Sequence, residues 1–277
     1  MKFFLLAIGI LLSSNLLTNA YAQQKIEELE MYDIRNYDPQ KVGVTDLVFE
    51  ARMEKLTDIL NKAGNFGTLS DVYFKIYWLS PAKYTIEVMG LPKGFKEVRD
   101  DLTALIKGKL EYVIPEKFSD KLKGYSLSSA STAEGRLIRA TDPTFTMSMP
   151  ELNIVFDNSG RLKKINTKEG HAAVTTEFFQ SPKSWSQNKL VIDKIVTTSK
   201  MGNITTVITN AVDFTPVNGV GFPSKIKVTN VTTVEIPATE KEKAKTERAE
   251  VGSVVNFSNY EVNTGKANRF MTEGLRR

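Results

Sequence analysis

Residues 135–263 read almost wholly as β-strand, and that run constrains the fold more than any other feature of the chain. Candidate strands cover 136–140, 144–149, 152–157, 161–166, 173–179, 190–198, 204–214, 225–236 and 253–262. The breaks between them carry turn chemistry. Asp157-Asn158-Ser159-Gly160, Met201-Gly202-Asn203 and Val217-Asn218-Gly219 all offer Gly or Asn for positive φ. Sequential strands joined by short turns predict an antiparallel meander rather than a parallel sheet.

Ahead of this run the pattern is mixed. Thr45 and Asp46 are expected to open a helix with Val48, Phe49, Met53, Leu56, Ile59, Leu60 and Ala63 on one face, stopped by Gly64. A hairpin follows. Val72, Phe74, Ile76 and Trp78 alternate with polar or amphipathic residues, Ser80-Pro81-Ala82 turns the chain, and Tyr84, Ile86 and Val88 return it. A second helix is expected from Gly94 to Pro115, with Phe95, Val98, Leu102, Leu105, Ile106, Leu110 and Val113 at spacings of three and four. Residues 23–44 are expected to form an extended lead-in and 265–277 a frayed tail. Residues 239–250 alternate Lys and Glu and read as a solvated hairpin excursion.

Two amphipathic helices cannot bury their apolar faces alone, and the sheet is their natural partner. The expected fold is therefore α+β and β-rich, a curved antiparallel sheet (a half-open β-barrel) with helices covering its concave face. No internal repeat and no linker rich in Pro, Gly or Ser is present, so residues 23–277 are expected to form one domain.

The first 22 residues have the layout of a secretory signal peptide. Lys2 precedes an apolar stretch at 3–12, a more polar stretch, and Ala20-Tyr21-Ala22 before Gln23. The apolar stretch is shorter than the roughly 20 residues a spanning helix needs. Cleavage after Ala22 and a periplasmic location are expected, with no transmembrane segment in the mature chain. The chain has no cysteine, which excludes disulfides, thiolate chemistry and a lipid-modified cysteine.

No catalytic constellation stands out. His171 is the one histidine and sits in a polar stretch, so a histidine-based triad has little to draw on. A zinc site usually needs several His or Cys ligands. Asp157-Asn158-Ser159-Gly160 lacks the further acids of a calcium loop. Ser80-Pro81-Ala82-Lys83 has the Ser-x-x-Lys spacing of penicillin-recognising enzymes, but it lies between two strands rather than at a helix start. Asp100 and Asp101 are adjacent on a helix and point apart. The expectation is a protein that is not an enzyme and carries no metal or cofactor. The 37 basic and 32 acidic residues are scattered, which argues against a nucleic-acid partner.

The order of elements, with Asn153-Ile154-Val155-Phe156-Asp157-Asn158-Ser159-Gly160-Arg161-Leu162 and the stretch from Asp213-Phe214-Thr215-Pro216 through Gly221-Phe222-Pro223-Ser224-Lys225-Ile226, resembles the periplasmic lipoprotein-carrier superfamily, the LolA/LolB-like proteins. The resemblance implies a helix-lidded half-barrel whose apolar cavity holds acyl chains. On that reading Phe49, Met53, Leu56, Leu60, Phe74, Ile76, Trp78, Leu102, Leu105 and Ile106 are the candidate ligand-binding residues. The partner is a lipid or lipoprotein acyl chain, and the carrier is expected to be monomeric. The alternative is an envelope protein that docks to another protein through strand edges or the 239–250 excursion.

Overall fold

The computed structural model describes residues 26–64, 67–238 and 244–273. The expected signal peptide and the centre of the charged excursion, 239–243, lie outside them. In chain order the elements are α1 (Glu27–Arg35), β1 (Asp46–Met53), α2 (Leu56–Ala63), β2 (Tyr73–Leu79), β3 (Lys83–Met89), α3 (Lys96–Lys107), α4 (Phe118–Lys121), β4 (Ser126–Thr132), β5 (Gly135–Thr141), β6 (Glu151–Phe156), β7 (Leu162–Glu169), β8 (Ala172–Pro182), β9 (Leu190–Met201), β10 (Ile204–Val217), β11 (Val220–Ile236), β12 (Lys245–Val262) and α5 (Lys266–Glu273). Two compact units result. Among the described residues one comprises 26–34 and 117–170 and the other 35–116 and 171–273, so the chain passes from one unit to the other three times.

The larger unit holds eight strands in the order β3-β2-β1-β12-β11-β10-β9-β8. Its pairings are antiparallel, and the sheet does not close on itself. This is the α+β, β-rich class expected from the sequence. Register brings the large apolar residues into rows across the strands. Leu47 faces Trp78, Phe49 faces Ile76 and Ala51 faces Phe74, while Val212 pairs with Ile226 and Ile226 with Val255. The turn between β10 and β11 has Asn218 at φ 52° and Gly219 at φ 81°, the paired positive angles of a two-residue hairpin.

Several expectations from the sequence are corrected. Residues 46–53 form a strand, not the first half of a helix. Leu47, Phe49 and Ala51 are buried on one face and Val48 on the other, so the apolar run is nearly continuous and its period of two is hidden. The helix is only Leu56–Ala63, and Lys55 at φ 63° separates it from the strand. The lead-in is not extended throughout. Glu27, Glu28 and Glu30 stand in the first turn of α1, where carboxylates favour a helix, and Leu29 and Tyr32 bury its inner side. Residues 245–250, within the charged excursion, are exposed and pair with β11 from Lys245 opposite Ile236 onward, as one arm of a solvated hairpin does.

In the tail, Lys266–Glu273 form a docked helix. Asn263 Oδ1 accepts from the backbone N–H groups of Thr45 (2.9 Å) and Asp46 (3.2 Å), and its Nδ2 donates to Gly43 O at 2.8 Å. Asp46 Oδ2 accepts from Asn268 N at 2.8 Å in the first turn of α5. Ala267, Phe270 and Met271 then cover Val48 and Tyr77 on the sheet face opposite the main core.

The smaller unit is the antiparallel meander β7-β6-β5-β4 with α1 and α4. Ile138, Ile154, Phe156 and Leu162 are buried. Tyr32 meets Phe156 and Phe118 edge-on, with centroids 5.3 and 5.6 Å apart. The Asp33 carboxylate accepts from the N–H groups of Phe118 (2.7 Å) and Ser119 (3.1 Å), which orients α4. Arg136 Nε lies 2.6 Å from Glu28 Oε1.

The expected strand at 144–149 is instead a loop folded on one carboxylate. Asp142 accepts from Thr144 N, Thr144 Oγ1 and Met147 N at 2.7–2.8 Å. These bonds offer the backbone an alternative to a ladder. Among the described residues no helix is long and apolar enough to cross a membrane.

Candidate functional site

The candidate site is the apolar face of the larger unit's sheet together with the helices packed on it. Strand alternation puts Leu47, Phe49 and Ala51 of β1 on this face, beside Phe74, Ile76 and Trp78 of β2. Val255 and Phe257 of β12, Phe222 and Ile226 of β11 and Val212 of β10 continue it. Leu56 and Leu60 face it from α2, one turn apart, as do Leu102 and Ile106 from α3. Phe74, Ile76 and Ile106 are fully buried, and each such side chain contributes roughly 1.5–3 kcal/mol over an exposed one.

Of the ten residues expected from the sequence, Phe49, Leu56, Leu60, Phe74, Ile76, Trp78, Leu102 and Ile106 are buried in this one cluster, and Met53 packs against it partly buried. Leu105 does not join them. It is 50% exposed, since Leu102 and Ile106 already occupy the inner side of α3. The helices are held by few polar ties. Val72 N donates to Thr57 Oγ1 at 2.9 Å, the Asn61 side chain exchanges two hydrogen bonds with the Leu69 backbone, and Arg99 donates to Leu91 O at 3.0 Å.

The sequence reading missed an aromatic group from the C-terminal strands. Tyr260 stacks between Phe222 (centroids 4.7 Å apart) and Phe49 (5.3 Å). Its hydroxyl donates to Pro223 O at 2.7 Å. Burial raises that phenol well above the usual tyrosine range. Alternation alone hides Tyr260, because Asn259 at φ 56° interrupts the strand period just before it.

Trp185 is the second addition. Its ring lies 4.9 Å from that of Tyr37 and 5.5 Å from that of Phe214. It also covers Gly221 so closely that a Cβ there would run into the indole. Gly221 N donates to Tyr37 Oη at 2.8 Å beneath it. The signal available in the sequence was the bare backbone of Gly221 beside Phe222.

A polar element borders this apolar face. Lys109, just after α3, donates from Nζ to Asn210 Oδ1 of β10 at 3.1 Å. Burial pulls its amine below the usual lysine range. Tyr112, one turn on, is pushed up to about 12, first by burial and then by Glu111.

The residues weighed for chemistry are dispersed. His171 is exposed in the turn before β8. Ser80 lies between β2 and β3, its backbone N–H donating to Thr45 O at 2.9 Å, so Ser80 and Lys83 are not one helical turn apart. The Asp157 carboxylate accepts from Ser159 N, Ser159 Oγ and Arg161 N, as a turn residue does.

No family model matches this chain, and no curated protein does. A crystal structure of MucB in complex with MucA(peri) aligns with 87% of this chain and 94% of that one, at 9% identity and a TM-score of 0.14, a level of likeness that carries no argument.

Proposed function

We propose that this protein is a periplasmic, non-enzymatic carrier that binds a lipid or lipoprotein acyl chain between the larger unit's sheet and its helices. The observation that supports this reading is how α2 and α3 sit. Two short amphipathic helices rest on a broad, aromatic-rich sheet face mainly through side-chain contact, with few polar ties. Such a layer can part at low cost and present apolar side chains from several elements to a flexible alkyl chain. Lipid mass spectrometry of an organic extract from protein purified from its own cells tests it. Acyl species near one per protein are expected. An empty extract from folded protein that also takes up no fluorescent fatty-acid probe overturns it.

A second reading has its own observation. β1 joins β12 only from Val255, opposite Met53. The nine residues from Lys245 to Ser253 are therefore laddered, among the described residues, only to β11. That exposed edge could add a strand from an envelope protein partner. Its charges, Lys245, Glu247, Arg248 and Glu250, also discourage indiscriminate pairing. A Pro at Ala249 that abolished capture of a partner without changing acyl content would favour docking over carriage.

A further inference from the structure

The structure assigns Lys109, with Asn210, as the head-group site for an anionic amphiphile, a carboxylate or phosphate carried on an alkyl chain. This rests on the carrier reading above and names the polar end of its ligand.

The argument starts from the sheet. Asn210 lies two residues from Val212 on β10, so its side chain shares the face that Val212 buries in the core. Val228, which packs against that core, stands directly opposite Asn210. Asn230 lies two residues beyond Val228 and is the diagonal neighbour of Asn210 on the same face. Its Oδ1 is buried with no hydrogen-bond partner among the described residues. Two amides thus lie on this face where the buried cluster gives way to half-exposed strand, and the hydroxyls of Thr206 and Thr232 follow them further out.

Lys109 completes the group. It follows the end of α3, with Ile106 fully buried on one side and Leu110 packed against the cluster on the other. Its ammonium reaches the sheet and spends one hydrogen on Asn210 Oδ1. Among the described residues it has no carboxylate within ion-pair distance. A half-buried ammonium facing a neutral amide is poorly compensated, because a charge leaving water needs an opposite charge or a full set of hydrogen bonds. The lowered affinity of this amine for its proton has the same origin.

An anion placed at Lys109 would supply the missing charge. With Asn210 Oδ1 engaged, the amide nitrogen of Asn210 remains a second donor to the same oxygens. The tail of such a molecule would leave this point toward Val228, Val212 and Ile226, into the apolar cluster. Head at the rim and tail along the core is the arrangement an amphiphile requires.

The test uses the delipidated protein with cis-parinaric acid and its methyl ester, two fluorescent probes that share one chain and differ in head charge. Wild type is expected to bind the acid roughly tenfold more tightly than the ester, the scale of one charge-assisted contact. Lys109→Met keeps the aliphatic stem and is expected to bind acid and ester equally, with ester affinity as in wild type. Lys109→Arg is expected to restore part of the preference. If Lys109→Met, folded by circular dichroism, still prefers the acid, or if wild type has no preference, the head-group assignment falls and the carrier reading stands. If wild type binds neither probe, the head-group assignment falls, and if the organic extract is empty as well the carrier reading falls with it.

Discussion

The ring of Phe270 lies flat on that of Tyr77, with centroids 3.8 Å apart and planes 4° from parallel. This stack fastens the C-terminal helix to the sheet face opposite the main core. It also bears on the Tyr77 phenol, which is raised to about 12, first by burial and then by Glu87. Phe270→Ala is expected to cost about 1–2 kcal/mol from the lost stacking and burial. It should also let Tyr77 ionise at lower pH. Thermal unfolding and an ultraviolet phenolate titration read the two effects, and an unchanged titration would mean that the helix does not shield Tyr77.

The inner and outer sides of α3 should respond very differently. Leu102→Ala removes a side chain from the main core and is expected to cost roughly 2–5 kcal/mol. Leu105→Ser changes an exposed position and should stay within about 0.5 kcal/mol of wild type. Urea unfolding of both variants checks the contrast. Equal losses would place Leu105 against the core after all.

Gly221→Ala should be more harmful than its one added methyl suggests. The new Cβ would run into the Trp185 ring, and overpacking of that kind costs about 1–3 kcal/mol. Tryptophan fluorescence should shift together with stability, because relief requires the indole to move. A variant with wild-type emission and stability would contradict the close approach.

The loop at 142–149 should depend on acid. Asp142 is lowered to about 2, chiefly by the N–H of Met147, with further help from Thr144. A carboxylate held below its ordinary value stabilises the fold fully above that value, near 4, and loses the contribution as pH falls through about 2. Asp142→Asn should abolish this acid-sensitive step. Amide chemical shifts of Thr144 and Met147 between pH 5 and 2 report it, and identical titrations in the two proteins would rule it out.

Much of this architecture was legible in the residues. The hairpin of Phe74, Ile76 and Trp78 with Ile86 and Val88 could be read from alternation alone, and so could most strands after Gly135. Eight of the ten candidate residues are buried together, Phe74, Ile76 and Trp78 at the alternate positions of a strand and Leu102 and Ile106 at the four-residue spacing of a helix among them. The reading failed where two periods overlapped or a side chain redirected the backbone. Val48 is buried beneath α5, so β1 lost its alternation and merged with the helix that follows. Thr144 and Met147 answer to the Asp142 carboxylate rather than to a neighbouring strand. Lys109 and Asn210 carry no local pattern at all. They are 101 residues apart in the chain, and only the folded sheet brings them together.

The bond from Thr45 N to Asn263 Oδ1 joins residues 218 positions apart. Its neighbour in the sheet is the pairing of β1 with β12, the first strand with the last. A chain emerging from a ribosome or a translocation pore, amino terminus first, can close its early hairpin at once, but the inner edge of β1 must wait for nearly all that follows. Until then an apolar strand stands open, and late loop closure of this kind slows folding and exposes the chain to misassociation. Escort by a chaperone would matter most in that interval, and premature termination before β12 would leave a sticky fragment rather than a smaller working protein.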